Sequence, residues 1–246
     1  EFISVGIMHY SALVPCLLAA YIARLIAASF GIQAETYLIA ETVSFGYVTC
    51  LKVLALGAVC AVVGILFCLA LHSAAHFLRR YGYNDYIRIL GGGMTVMCLT
   101  VLVGNYNYNG AGAHIIEEAI AGHAVWYAFL VKILFTAITL GAGYKGVEIV
   151  PSFFIGATMG CVTGPLLGLP ASVGAGLGLI GVFCAVVNCP LASIILSVEL
   201  FGSENLVLFA IVCVVSYMLS GPFSLYSSQR IQYSKLRPEF VHQKTM

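Results

Sequence analysis

The chain has 246 residues, of which 61% are hydrophobic and 9% charged, and its formal net charge is +1. Ordinary soluble domains carry roughly 25% charged residues, so this chain lacks the side chains for a water-facing surface and reads as an integral membrane protein. The near-zero charge excludes electrostatic binding of nucleic acid, and the absence of strand-like alternation makes helical spans the expectation rather than a barrel.

The sequence begins EFISVGIMHYS, without an initiator Met or a basic leader. It shows no signal-peptide pattern and is expected to be the tail of a longer protein. Apolar runs of spanning length cover 9–29, 46–77, 87–104, 124–142, 149–168, 171–188 and 204–222, with a shorter apolar piece over 190–201. The segment after the first run, FGIQAETYLIAETVSF over 30–45, holds Glu35 and Glu41 and no Lys or Arg. Arg79, Arg80 and Arg88 cluster between the second and third runs, and Arg230, Lys235, Arg237 and Lys244 fill the tail. The positive-inside rule puts both basic clusters in the cytoplasm and 30–45 outside.

His72 and His76 share one helix face beside Arg79 and Arg80 and read as interfacial. Arg24 and Lys132 fall inside apolar runs, where a cation snorkels or pairs within the bundle. The nine cysteines include no CxxC pair and lie nearly all in apolar runs. They read as small buried side chains, with no metal, disulfide or cofactor implied.

GNYNYNGAGAHIIEE, over 104–118, reads as a Gly/Asn-rich loop that leads into a short helix. His114, Glu117 and Glu118 are local to that helix start and look like capping residues. Together with His123 they are what a membrane-embedded metal-dependent enzyme would use. That reading stays open here, as does a packing subunit that transports nothing.

The next stretch, GYKGVEIVPSFFIGATMG over 143–160, sets Lys145 and Glu148 before Pro151, at the mouth of an uncharged run from Ile149 to Val198. Proline is favoured in the first turn of a helix, so a helix is expected to begin near 147–150. Its first N–H groups have no partner within the helix, and with the macrodipole they form an anion site. The plainer alternative is a capped helix end, with Glu148 as cap or as partner of Lys145. Gly156, Gly160, Gly164 and Gly168 recur every fourth residue, and Gly174 and Gly178 repeat the spacing. Such a face lets helix backbones approach closely. Pro165, Pro170, Pro190 and Pro222 break the later runs. Broken helices at mid-membrane are where transporters place ion sites. The chain closes on PFSLYSSQRIQYSKLR, read as a terminal helix that carries Tyr226, whose hydroxyl points into a pore or anchors at the interface.

In this order the pieces resemble the CLC family of chloride channels and proton/anion antiporters. The family's GxFxP motif, followed by a small-residue helix, reads here GVEIVPSFFIGATMG. GAGLGLIGVFCAVVNCPLASIILSVELF resembles the family's next helix pair, with Asn188, Pro190, Leu191 and Glu199 in the matching places. GPFSLYSSQ is similar to the terminal segment whose tyrosine faces the central anion. The match is closest over 143–230. The family's GSGIP-like and GREGP strings are absent, so the chain aligns from near the end of helix H onward.

The resemblance implies an all-α polytopic membrane protein, a CLC-type inverted-repeat bundle of tilted and broken helices. Residues 1–45 would be the end of the first repeat, 46–222 the second inverted repeat, and 223–246 a terminal pore-facing helix and cytoplasmic tail. It implies transport of chloride or fluoride, possible exchange with protons, no enzymatic activity, a plasma-membrane homodimer with contacts over 9–29 and 190–222, and a pore in each subunit. Backbone N–H groups of Glu148, Ile149 and Val150 would face the anion, with the Tyr226 hydroxyl closing the inner side. Ile149 stands where the family has an aromatic, and Glu148 precedes it. A carboxylate there opposes an anion unless it is protonated or exchanges protons. This version, followed by PSFFIGA, is similar to the fluoride-exporting branch, although Val147 interrupts the usual double glycine.

Overall fold

The order of elements follows the apolar runs closely. The computed structural model describes residues 4–6, 10–32, 36–39, 41, 43–81, 84–226, 228–235 and 239–245; Glu35 and Arg237 of the charge pattern lie outside these. Among the described residues, helices α1 (Tyr10–Ser29), α2 (Tyr47–Tyr81) and α3 (Asp85–Val103) come first. They are followed by α4 (Ala113–Ile120), α5 (Ala128–Gly141), α6 (Ile149–Leu166), α7 (Ala171–Val187), α8 (Pro190–Phe201) and α9 (Leu206–Leu219). Four helices, α1, α2, α3 and α6, are long and apolar enough to cross a membrane; α5, α7, α8 and α9 are shorter apolar helices. The architecture is therefore all-α, as the run pattern requires.

The centre of the fold is the α6–α7 pair, and glycine makes it. A Cβ placed on Gly160 would fall 2.1 Å from the Gly174 carbonyl oxygen, and one on Gly156 would fall 2.4 Å from that of Gly178. Backbone meets backbone along this face, so no side chain larger than hydrogen fits. Every residue of α7 from Val173 to Val187 is buried. The glycine face read from the sequence is thus a packing face.

Helix α2 runs antiparallel to α6 along this pair. Near its start, Lys52 Nζ donates to the Gly168 carbonyl at 2.7 Å, just past the end of α6. Midway, Gly64 lies against Ala185 and Val186 of α7, and further on Ala74 lies against Gly141 of α5. Arg79 and Arg80 occupy its last turn, where cations suit the negative helix end.

The tail corrects an expectation. Among the described residues of 223–246 there is no terminal helix. They contain β2 (Arg230–Tyr233) and β3 (Phe240–Lys244), antiparallel to each other, while β1 (Ser4–Val5) pairs with β2 in parallel. Along β2 only Ile231 is buried, between the exposed Arg230 and the half-buried Gln232. A short alternating stretch suits a strand. Before it, the Gln229 N–H turns back to the Tyr226 carbonyl at 3.1 Å, and the Leu225 N–H donates to the Val186 carbonyl of α7 at 3.0 Å. A helix there would forfeit that bond.

Candidate functional site at the start of α6

Pro151 sits in the first turn of α6, as its missing N–H favours. The N–H groups of Glu148, Ile149 and Val150 donate to no backbone acceptor among the described residues. These are the orphan donors of a helix N-terminus, carrying its partial positive charge. Glu148 precedes the helix, and its side chain makes no capping hydrogen bond. Nor does it pair with Lys145; the ion pair found among the described residues joins Arg88 to Asp85 at 2.9 Å. Neither plain role of this carboxyl is made among the described residues.

Glu148 and Tyr226, 78 positions apart in the sequence, line one cavity of about 370 Å³ with Gly146, Val147, Leu225 and Ser228. Burial is the main influence on the Glu148 carboxyl and pushes it above the ordinary carboxylate range, while His72 pulls it back. The Tyr226 hydroxyl is pushed up too, first by burial, then by the Glu148 carboxylate and by Cys189. His72 lies about 12 Å along α2 from Arg80 and about 30 Å from Lys52, at 1.5 Å per residue. Glu148, within electrostatic reach of His72, is therefore set well inside the length of α2.

The loop that carries Tyr226 is held by polar contacts. Ser224 Oγ accepts from the Tyr226 N–H at 3.2 Å and donates to Gln229 Oε1 at 2.7 Å. Gln229 Nε2 donates to the Val187 carbonyl at 2.8 Å, and Thr245 Oγ1 donates to the Tyr226 carbonyl at 2.9 Å. These partners went unread in the sequence. No local spacing joins Gln229 to Val187, and a lone Ser or Gln carries no signal.

A second cavity of about 470 Å³ shares Gly146 and Val147 as lining and reaches Val150 and Pro151. Lys132 lines it and is 1% exposed. Its Nζ donates to the Tyr108 and Gly110 carbonyls at 3.1 and 2.6 Å and lies 4.8 Å from the centre of the Phe154 ring. This cation pairs within the bundle, closing the 104–112 loop over the start of α6. Arg24, on the exposed α1, has no such enclosure.

The metal-enzyme alternative finds no geometry. His114, Glu117, Glu118 and His123 are all exposed. His114 Nε2 lies 3.5 Å from Asn107 Oδ1. No three His, Cys, Asp or Glu side chains among the described residues come close enough to hold a metal.

Comparison with known proteins shows the family of the chain. Residues 1–221 match the family model described as voltage gated chloride channel. The chain is 35% identical over 241 residues to a chloride/fluoride channel protein of Pseudomonas syringae pv. tomato, covering 96% of this chain and 53% of that protein. It is 26% identical over 183 residues to the H(+)/Cl(-) exchange transporter ClcA of Yersinia pestis bv. Antiqua, covering 69% and 38%. A crystal structure of a CLC-type fluoride/proton antiporter superposes with a TM-score of 0.90 at 32% identity, covering 93% of this chain and 58% of that one. The chain thus spans about half the length of the relatives that it matches.

Proposed function

The chain belongs to the voltage-gated chloride channel family, and on that premise we propose that it is the C-terminal half of a proton-coupled transporter of small anions, chloride or fluoride. The observation that carries this reading is the cavity at the start of α6. Unpartnered helix N–H groups attract an anion, and Glu148 beside them is neither a cap nor an ion-pair partner. A carboxyl with a raised pKa takes up a proton as an anion binds nearby and releases it as the anion leaves. The Tyr226 hydroxyl supplies a donor on the inner side. The Glu148, Ile149 and Val150 N–H groups and Tyr226 are the proposed anion ligands, and Glu148 is the proposed proton-exchanging group. The names of the relatives, a chloride/fluoride channel protein and a fluoride/proton antiporter, favour fluoride as the cargo.

In this reading residues 1–45 close the first repeat, 46–222 form the second, and the remainder is a cytoplasmic tail. The protein works in the plasma membrane as a homodimer. Its contacts lie along α1, α8 and α9, where Leu17, Ile195, Val207 and Val214 are exposed apolar side chains. Leu208 is buried and takes no part.

The test uses the full-length protein in liposomes, with anion efflux and proton uptake recorded together. Glu148→Gln is expected to reduce proton movement more than anion movement, with fluoride carried at least as fast as chloride. Equal losses of both fluxes, with chloride strongly preferred, would remove the proton role of Glu148 and the fluoride assignment.

A further inference from the structure

We propose that Lys235 is a positioning residue for Tyr226, setting from the far end of a buried hydrogen-bond chain the loop that presents the tyrosine to the anion site. The inference rests on the reading of Tyr226 as an anion ligand. Lys235 lies just past β2, and its Nζ donates to Ser220 Oγ at 2.7 Å and to Asn188 Oδ1. The same ammonium lies 4.6 Å from the centre of the Tyr217 ring. Asn188 is the C-cap of α7, in the left-handed region at φ 61. It is the residue at which the buried glycine-rich helix ends.

The direction of the chain follows from donor chemistry. An ammonium only donates, so it fixes which atom of the Asn188 amide faces it. Oδ1 turns to Lys235, where it also accepts from Ser220 Oγ at 3.2 Å. Nδ2 must then donate the other way, and it does so to the Phe223 carbonyl at 2.9 Å and to Gln229 Oε1 at 3.2 Å. Gln229 is set in the matching sense, its Nε2 donating to the Val187 carbonyl. With Gln229 Oε1 as acceptor, Ser224 donates to it and keeps its lone pairs for the Tyr226 N–H. The Phe223 and Val187 carbonyls hold the two amides in the same sense, so the cation anchors the far end of a chain that runs from Asn188 to the backbone of Tyr226.

The position of this cation is costly, which argues for a task beyond solubility. Burial lowers the Lys235 pKa to about 8, with Cys184 and Cys68 pulling the other way. A solvated lysine at the end of α7 would have served the helix dipole at less expense.

The experiment is a double-mutant cycle in the full-length protein in liposomes, reading the half-saturating fluoride concentration and the maximal rate separately. Lys235→Met is expected to raise half-saturation several-fold with little change in maximal rate. Combined with Tyr226→Phe it is expected to add little beyond Tyr226→Phe alone, and Lys235→Arg, which keeps a cationic donor, is expected to restore most of the affinity. Full additivity of the two losses, or wild-type half-saturation in Lys235→Met, overturns the inference. Unchanged affinity in Tyr226→Phe overturns the anion-ligand reading and the inference with it, whereas additivity on an effective Tyr226→Phe background overturns the inference alone. If Lys235→Met does not fold, Ser220→Ala removes one acceptor of the same ammonium and carries the same cycle.

Discussion

Helix α1 and helix α6 look alike as apolar runs and behave oppositely in the fold. α1 is the more hydropathic of the two, yet none of its residues is buried, whereas 61% of the α6 window is buried. The difference does not follow hydropathy: α6 has a glycine-faced partner within this chain, and α1 has none within a chain that spans about half the length of its relatives. Lipid tails are as apolar as a leucine, so apolarity alone drives no helix to another within a membrane. α6 meets α7 because Gly156, Gly160 and Gly164 remove every side chain from the contact. α1 has no glycine between Tyr10 and Ser29, and it presents Leu13, Leu17, Tyr21 and Leu25 outward. A side chain in α6 is thus constrained by the chain itself, and one in α1 by whatever surrounds the chain.

The sharpest way to break this contrast is Gly160→Leu. The new Cβ would overlap the Gly174 carbonyl, and both partners are backbone that cannot move aside. A loss above about 4 kcal/mol, the exceptional end of single substitutions, is expected, seen as no monodisperse full-length protein on size exclusion. A folded variant with wild-type melting would show that the pair has slack.

Tyr226→Phe probes what the tight pair supports, since the loop of Tyr226 hangs from the Val186 and Val187 carbonyls at the end of α7. Loss of a hydrogen bond to a charged group weakens anion binding by about 1–3 kcal/mol. Isothermal titration of the full-length protein with fluoride measures it, and an unchanged affinity would remove Tyr226 from the site.

The smallest effect on folding is expected on the other side of the contrast. Cysteines at Leu17 or Val207, both exposed, leave stability within about 0.5 kcal/mol, and oxidation in membranes traps a dimer. Monomers alone, across a cysteine scan of 10–29 and 204–218, would reject the homodimer proposed for these faces.

Much of this was legible beforehand, and the reasons are local. Composition dictated a membrane protein, because 9% charged residues cannot make a wet surface. Pro151 marked the start of α6, because a ring without an N–H is favoured in a helix's first turn. The four-residue glycine period foretold a backbone contact, because it repeats once per helical turn. The tertiary structure alone decided the rest. It set β2 and β3 where a tail helix was expected, and gave the Leu225 N–H to the Val186 carbonyl of α7. It brought Lys235 to Asn188 across 47 positions. It also closed Lys132 over the 104–112 loop through carbonyls at Tyr108 and Gly110. Hydrogen bonds to backbone carbonyls leave no residue-type signature, since every residue has a carbonyl, so a sequence shows which groups are able to donate but not where the acceptors stand.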